Sequence, residues 1–329
     1  MKRREFLVLV AGATAALPRA AWSQKPSLPV IGFINTNPEV APDMFAPIRQ
    51  GLAEAGFVEG RDVTFEYRFD ALSFVQPERI AALAADLVRI GVAVIVTYTV
   101  PQAIAAKAAT NSIPIISWLG PDPVATGLVA SLNRPGGNLT GAAALFSEIA
   151  AKRLELLHEL APTATSIACL TNPTNKVAAD AETKALQLAA RTLGIDLLVL
   201  NASKPAEIDT VFAGLSGAGV GGVVVGSDIL FLILKNQLFD LASCYKIPAI
   251  YTAREFTAAG GLLSYGTHVP DGFHIMGLYA GRVLRGEKPA DLPVQQVTKT
   301  ELAINLKTAI AMGLTLPPTL LTRADEVIE

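Results

Sequence analysis

The sequence predicts an α/β protein built as two doubly wound parallel-sheet lobes, and three observations lead there. Short, unbroken apolar runs alternate with longer segments of helical spacing, the pattern of strands buried on both faces between covering helices. The alternation runs twice, once on each side of the turn-rich stretch Arg134-Pro135-Gly136-Gly137-Asn138-Leu139-Thr140-Gly141. The composition, 51% hydrophobic against 17% charged, supplies apolar surface for cores on both faces of two sheets and argues against disorder.

The elements follow in order. Val30-Ile31-Gly32-Phe33-Ile34 is a continuous apolar strand; Asp43 to Ala55 has helical spacing and is closed by Gly56, a C-terminal cap signal. Val63 to Arg68 alternates as a strand, Pro77 to Arg89 is a helix ended near Gly91, and Val92 to Val96 is a buried strand. Pro101 opens a helix to Ala109 at a position where its missing N–H costs nothing, and Ile115-Ile116 continues the strand series. After the turn-rich stretch come helices Lys152 to Leu160, Ala178 to Leu193, Ala206 to Leu215 and Leu230 to Tyr245. The strands among them are Ile167 to Leu170, Asp196 to Leu200, Val223 to Val225 and Ala249 to Tyr251. Leu262 to Tyr265, Phe273 to Arg285 and Glu301 to Met312 have pattern but no assigned lobe.

Charge and hydropathy exclude two classes of partner. Twenty-seven basic residues against 29 acidic leave no excess to neutralise a phosphate backbone, so no nucleic acid is expected. The mean hydropathy of +0.42 is high, yet the apolar run Phe6 to Leu17 is only 12 residues, short of the roughly 20 that cross a bilayer. The mature protein is therefore expected not to span a membrane.

That run instead belongs to an export signal over residues 1–23. Lys2, Arg3 and Arg4 form its charged start, and Ala21-Trp22-Ser23 offers small residues for cleavage between Ser23 and Gln24. Arg3-Arg4 followed by Glu5, Phe6 and Leu7 matches the twin-arginine (Tat) pattern; a Sec signal with the same charges is the alternative, and both lead to the periplasm. Cleavage removes Lys2, Arg3, Arg4 and Arg19 but only one acid, Glu5, leaving a more acidic mature chain. Cys169, in an apolar strand, and Cys244, late in a helix, read as free thiols, with a disulfide as the alternative.

Signals of catalysis fail one by one. Gly217-x-Gly219-x-x-Gly222 has the dinucleotide string, but it precedes the strand Val223 to Val225 instead of following one into a helix. His158, His268 and His274 lack zinc-ligand spacing, and there is no phosphate-binding Gly-Lys-Ser/Thr loop or Gly-x-Ser-x-Gly elbow. No catalytic residue, metal ligand or cofactor is expected.

Polar residues at strand ends are the positive signal, because open parallel sheets bind ligands beyond the carboxyl ends of their strands. In the first half these are Asn35 and Thr36, then Thr97, Tyr98 and Thr99, then Trp118 and Asp122; in the second, Asn172 and Asn175, Asp228 with Ser227, then Tyr251 and Glu255. Helix capping is the competing reading for each of the short polar residues. The hydroxyls and amides of Thr97-Tyr98-Thr99, leading into a helix, suit a carboxylate. Asp122 and Asp228 are candidate acceptors for a ligand amine, while Tyr98, Trp118, Tyr251 and Tyr265 could wall the crevice, core packing being the alternative for the aromatics.

Several segments carry a resemblance: Gly51-Leu52-Ala53-Glu54-Ala55-Gly56-Phe57-Val58-Glu59-Gly60, Asp122-Pro123-Val124, Gly127 through Gly141, Gly260-Gly261-Leu262-Leu263-Ser264-Tyr265-Gly266 and Ile304 to Ala309. Over essentially the whole mature chain they resemble the solute-binding proteins of ABC transporters, the family that includes tryptophan- and tyrosine-binding members. The resemblance implies a type I periplasmic-binding fold with three crossovers. It divides the chain into a first lobe of residues 28–141 plus 254–287 and a second of 145–250 plus 291–329. It implies an ABC permease and its ATPase subunit as partners and a small-molecule solute, best an amino acid, as ligand. Asp228 falls at the binding acid of the second lobe and Thr97 and Thr99 at the loop that grips the ligand head. Leu119-Gly120-Pro121-Asp122 departs from the family's more usual Gly-Gly-Asp-Pro. An exported two-lobe sensory protein or enzyme on the same fold is the alternative function.

Overall fold

The computed structural model describes residues 28–34, 39, 42–70, 78–120, 122–144 and 146–329. The export signal, Asn35 and Thr36 lie outside the described residues.

The first sheet begins with β1 (Val30–Ile34), followed by α1 (Pro42–Glu54), β2 (Thr64–Arg68), α2 (Glu78–Ile90), β3 (Val94–Thr97), α3 (Val100–Ala109), β4 (Ile115–Leu119) and β5 (Leu139–Ala144). The chain then enters the second unit through α4 (Phe146–Leu160), β6 (Ser166–Thr171), α5 (Lys176–Leu193), β7 (Asp196–Asn201), α6 (Pro205–Leu215) and β8 (Val223–Val225). It continues through α7 (Ile229–Ile233), α8 (Lys235–Cys244), β9 (Ala249–Tyr251), α9 (Arg254–Ala258) and β10 (Leu263–Thr267). The last part is α10 (Val269–Leu284), β11 (Gln295–Val297), β12 (Thr300–Asn305), α11 (Leu306–Met312), α12 (Pro318–Arg323) and β13 (Glu326–Ile328).

Strand order is β11-β5-β4-β3-β1-β2 in one sheet and β13-β12-β10-β9-β8-β6-β7 in the other. All pairings are parallel except β10 with β12. Successive residues of a strand point to opposite faces, and each face finds its own core. Ile31, Phe33, Val94 and Val96 join one cluster of the first sheet, whereas Ile34 and Ile95 join the other. In the second sheet Ile167, Cys169 and Val224 go to one side, and Ala168, Leu170, Val223 and Val225 to the other. A fully buried Phe33 or Ile31 contributes about 1.5–3 kcal/mol. Cys169, in its core, and Cys244, on the surface, are both free thiols.

Three crossings join the sheets: after β5, between β10 and α10, and between β11 and β12. The last two run side by side, with the His268 amide donating to the Lys299 carbonyl at 2.9 Å.

Four expectations need correction. Residues 254–267 stay with the second sheet, because β10 pairs with β9 and β12; the chain returns to the first sheet only at α10. β11, expected in the second lobe, adds to β5 in the first sheet. Return to the first sheet is fixed by α10 against α1, where Gly51 and Gly277 let the backbones touch: a Cβ on either would lie 2.1 Å from the carbonyl oxygen of His274 or Ile48. Leu139-Thr140-Gly141, expected among turns, opens the buried strand β5, whose small residues Gly141 to Ala144 carry no β-branched signal. Finally, the helix expected from Leu230 to Tyr245 breaks at Leu234 into α7 and α8.

Candidate ligand crevice at the strand ends

Each sheet has one place where neighbouring strands send their connections in opposite directions, and the strand ends there open a crevice. In the second sheet it lies between β6 and β8, with β7 on one side and β9 on the other. Asn172 and Asn175 follow β6; Ser227 and Asp228 follow β8.

Three of these residues, Asn172, Asn175 and Asp228, form one network. Asn172 Nδ2 donates to Asp228 Oδ1 at 3.0 Å and Asn175 Nδ2 to Oδ2 at 2.9 Å. The Leu230 amide also donates to Oδ1 at 2.9 Å, so Asp228 caps α7 as well. Asn175 precedes α5 without capping it through its side chain, which is spent on Asp228. Three N–H donors hold the carboxylate in place while, among the described residues, one of its four lone-pair directions is left open. Capping and ligand recognition are thus compatible at Asp228.

Beneath it lie two residues that strand-end reasoning missed. Arg153 of α4 is 1% exposed and pairs with Glu182 of α5, itself 4% exposed. Arg153 also donates to the Val225 carbonyl at 3.0 Å, and Glu182 Oε2 accepts the Ser227 amide at 2.7 Å. Both sit in helices of ordinary amphipathic pattern, so the only sequence signal was a charge at a position whose spacing falls on the buried side.

In the first sheet the corresponding crevice lies between β1 and β3. Thr97, fully buried, gives its hydroxyl to Ser117 Oγ at 2.8 Å. Thr99 caps α3, and Gln102 Oε1 accepts the Tyr98 amide at 2.7 Å and the Thr99 amide at 3.2 Å. The expected carboxylate cradle therefore has its Thr97 hydroxyl and two of its amides already engaged, because a buried amide must find a partner within the fold. What this end presents is aromatic. Tyr98 and Trp118 lie against Phe273 with ring centroids 5.3 and 5.9 Å away. Trp118 rests on Gly272, where a Cβ would meet the indole at 1.7 Å. Phe273, from the returning helix α10, was not among the expected residues.

Glu255, which follows β9, bears electrostatically on Tyr98, which follows β3. Burial first, and then the Glu255 carboxylate, hold the Tyr98 phenol above its ordinary pKa. Glu301 near the crossings is also held above the usual carboxylate value: burial and neighbouring Glu255 and Asp325 raise it, against the lowering effect of His268 and Arg254. Tyr265 donates to or accepts from Thr300 Oγ1 at 3.0 Å, beside the two adjacent crossings.

An expected wall residue, Tyr251, and an expected amine acceptor, Asp122, are engaged within the fold. Tyr251 is 1% exposed, stacked on Phe256 at 5.0 Å and edge-on to Phe239, a core position in which its ring fills space between helices. Asp122 is exposed and accepts the Val124 and Ala125 amides, stabilising its own turn. Among the described residues no group of three or more His, Cys, Asp or Glu could hold a metal ion, and no helix is long and apolar enough to cross a membrane.

Residues 41–328 match the family model of the ABC transporter substrate binding protein. The chain belongs to that family. A curated relative, the tyrosine-binding protein of Clostridioides difficile, is 31% identical over 214 residues, 65% of this chain. The match spans 61% of that relative's length. A Streptococcus pneumoniae ABC domain solved in complex with L-Trp is 25% identical with a TM-score of 0.81, covering 92% of this chain and 100% of that one. A conserved domain protein from Vibrio cholerae is 26% identical with a TM-score of 0.80, covering 91% and 98%. The substrate-binding protein thus has the two-sheet fold of periplasmic solute receptors, and its family is one of substrate-binding proteins.

Proposed function

We propose that the protein captures a small solute, best an amino acid with an aromatic side chain, between its two lobes and delivers it to an ABC permease driven by its ATPase subunit. The single observation that carries this reading is Asp228, held by Asn172, Asn175 and the Leu230 amide with one acceptor direction free at the crevice of the second sheet. An ammonium group completes such a site with a charge-assisted hydrogen bond. The Tyr98, Trp118 and Phe273 rings at the other crevice suit the apolar or aromatic end. The tyrosine-binding relative and the L-Trp complex support the ligand class.

Lobe closure about the three crossings buries the ligand and forms the surface a permease recognises. The first lobe in this reading is residues 28–144 with 269–297, and the second is 146–267 with 300–329. Export to the periplasm through the twin-arginine signal places the receptor where its permease collects solutes. Native mass spectrometry of gently purified mature protein tests the reading: a retained amino acid is expected. A retained sugar or nucleotide, or chemical conversion of the bound compound, contradicts it.

A further inference from the structure

We infer that the buried Arg153–Glu182 ion pair is the positioning element of the amine site, holding the Gly226-Ser227-Asp228 loop so that the Asp228 carboxylate stands at the crevice. The inference rests on the reading of Asp228 as the ligand's acid.

The loop is gripped at consecutive points by groups from two helices. Arg153, reaching in from α4, donates to the carbonyl of Val225, the last residue of β8, at 3.0 Å. Its guanidinium also reaches Ser227 Oγ at 3.4 Å. Glu182, reaching in from α5, accepts the Ser227 amide on Oε2 at 2.7 Å, and the Ser227 hydroxyl approaches Oε1 at 3.3 Å. The next residue is Asp228, whose carboxylate is then fixed from the β6 side by Asn172 and Asn175. The backbone is set by the ion pair and the side chain by the two amides. A cavity of only about 10 Å³ remains among Thr171, Asn172, Asn175, Glu182, Ser227 and Asp228, room for no more than a single water. The pair and the binding acid are thus mechanically continuous.

Fold stability alone does not account for the pair. A buried ion pair commonly contributes nothing over apolar residues of the same volume, because desolvation offsets the attraction. Here Arg153 Nε has no hydrogen-bond partner among the described residues, a further cost. What apolar residues cannot supply is the acceptor for the Ser227 amide and the donor for the Val225 carbonyl. The opposite charges of Arg153 and Glu182 also cancel, leaving the charge of Asp228 unopposed within the cluster.

Two double variants separate positioning from packing. Arg153→Met with Glu182→Leu removes charge and acceptor together; Arg153→Met with Glu182→Gln removes the charge but keeps an acceptor for the Ser227 amide. With L-tyrosine and L-tryptophan as titrants, the Leu-containing variant is expected to bind about tenfold or more weakly than wild type while unfolding cooperatively. The Gln-containing variant is expected to recover most of that loss. Equal affinity in the two variants overturns the proposal. Hydrogen exchange on the ligand-free wild type gives an independent reading whether or not the variants fold. The Ser227 amide, in a partly exposed loop, should exchange slowly, and exchange as fast as an unstructured amide overturns the proposal. If wild type binds neither amino acid, the ligand reading fails, and the Ser227 exchange rate still decides whether the pair holds the loop.

Discussion

Asn175 and Asp228, 53 positions apart in sequence, are joined by a 2.9 Å hydrogen bond that ties the start of α5 to the cap of α7 across the strand ends of the second sheet. The bond exists because β6 and β8 are neighbours whose connections diverge, leaving their following loops to face one another. Among the described residues Asp228 has no ion pair, and its open direction is where the proposed ligand amine would bind.

Trp118 should report occupancy of the crevice. The sequence has two tryptophans, and if the expected cleavage after Ser23 removes Trp22, Trp118 is the sole indole of the mature chain. Its ring lies 5.9 Å from Phe273 at the first-sheet strand ends. Ligand capture is expected to shift or quench the intrinsic emission saturably. Emission that stays unchanged while calorimetry records binding would place the ligand away from Trp118.

Gly51→Ala should destabilise the first lobe. The added Cβ would stand 2.1 Å from the His274 carbonyl and 2.6 Å from the Leu278 amide, backbone atoms that move only if α10 shifts off α1. A loss of about 1–3 kcal/mol is expected from overpacking. Chemical denaturation checks it; wild-type stability would mean that the two helices separate at no cost.

Glu301→Gln should stabilise the protein at neutral pH. Burial raises the Glu301 carboxyl above its ordinary 4.5 in the folded state, so the native state binds its proton more tightly than the unfolded chain does. The carboxyl's contribution is therefore fully present below about 4.5 and is lost as pH rises through the higher folded value. The glutamine, neutral throughout, is expected to melt higher than wild type at pH 7.5, with the difference closing by pH 4. A variant less stable than wild type at pH 7.5 would show that the charge is favourably paired.

The proposed export signal makes a separate prediction. Replacing Arg3 and Arg4 by lysine should leave the precursor in the cytoplasm if the pair is read by the twin-arginine route. Cell fractionation checks this, and normal export of the variant would assign the leader to Sec.

The strand series was legible because a strand covered on both faces must be apolar throughout, as Val223-Val224-Val225 is. β5 was hidden because its buried residues are glycine and alanine next to turn-forming neighbours. The assignment of residues 254–297 to lobes was not readable: β10 and β11 are short, and only pairing with β12 and β5 decides where each belongs. The strand-end rule pointed to Asp228, Asn172 and Asn175, which the structure joins by hydrogen bonds, and to Tyr98 and Trp118, which it packs against Phe273. It also brought in Tyr251, since the end of a short strand can be as buried as its middle. It passed over Arg153, Glu182 and Phe273, which arrive from helices, because reach across a crevice is not written in local spacing.

Calorimetric comparison of an amino acid with its des-amino analogue, on wild type and Asp228→Asn, tests the central claim most directly. L-Tryptophan and indole-3-propionate differ in the amine that Asp228 is proposed to bind. Wild type is expected to prefer the amino acid by about 10- to 100-fold, the value of a hydrogen bond between charged groups. Asp228→Asn is expected to lose most of that preference, a coupling read from the four affinities as a cycle. Equal loss of affinity for both compounds in Asp228→Asn, with the preference intact, would contradict the account and leave Asp228 as a helix cap alone.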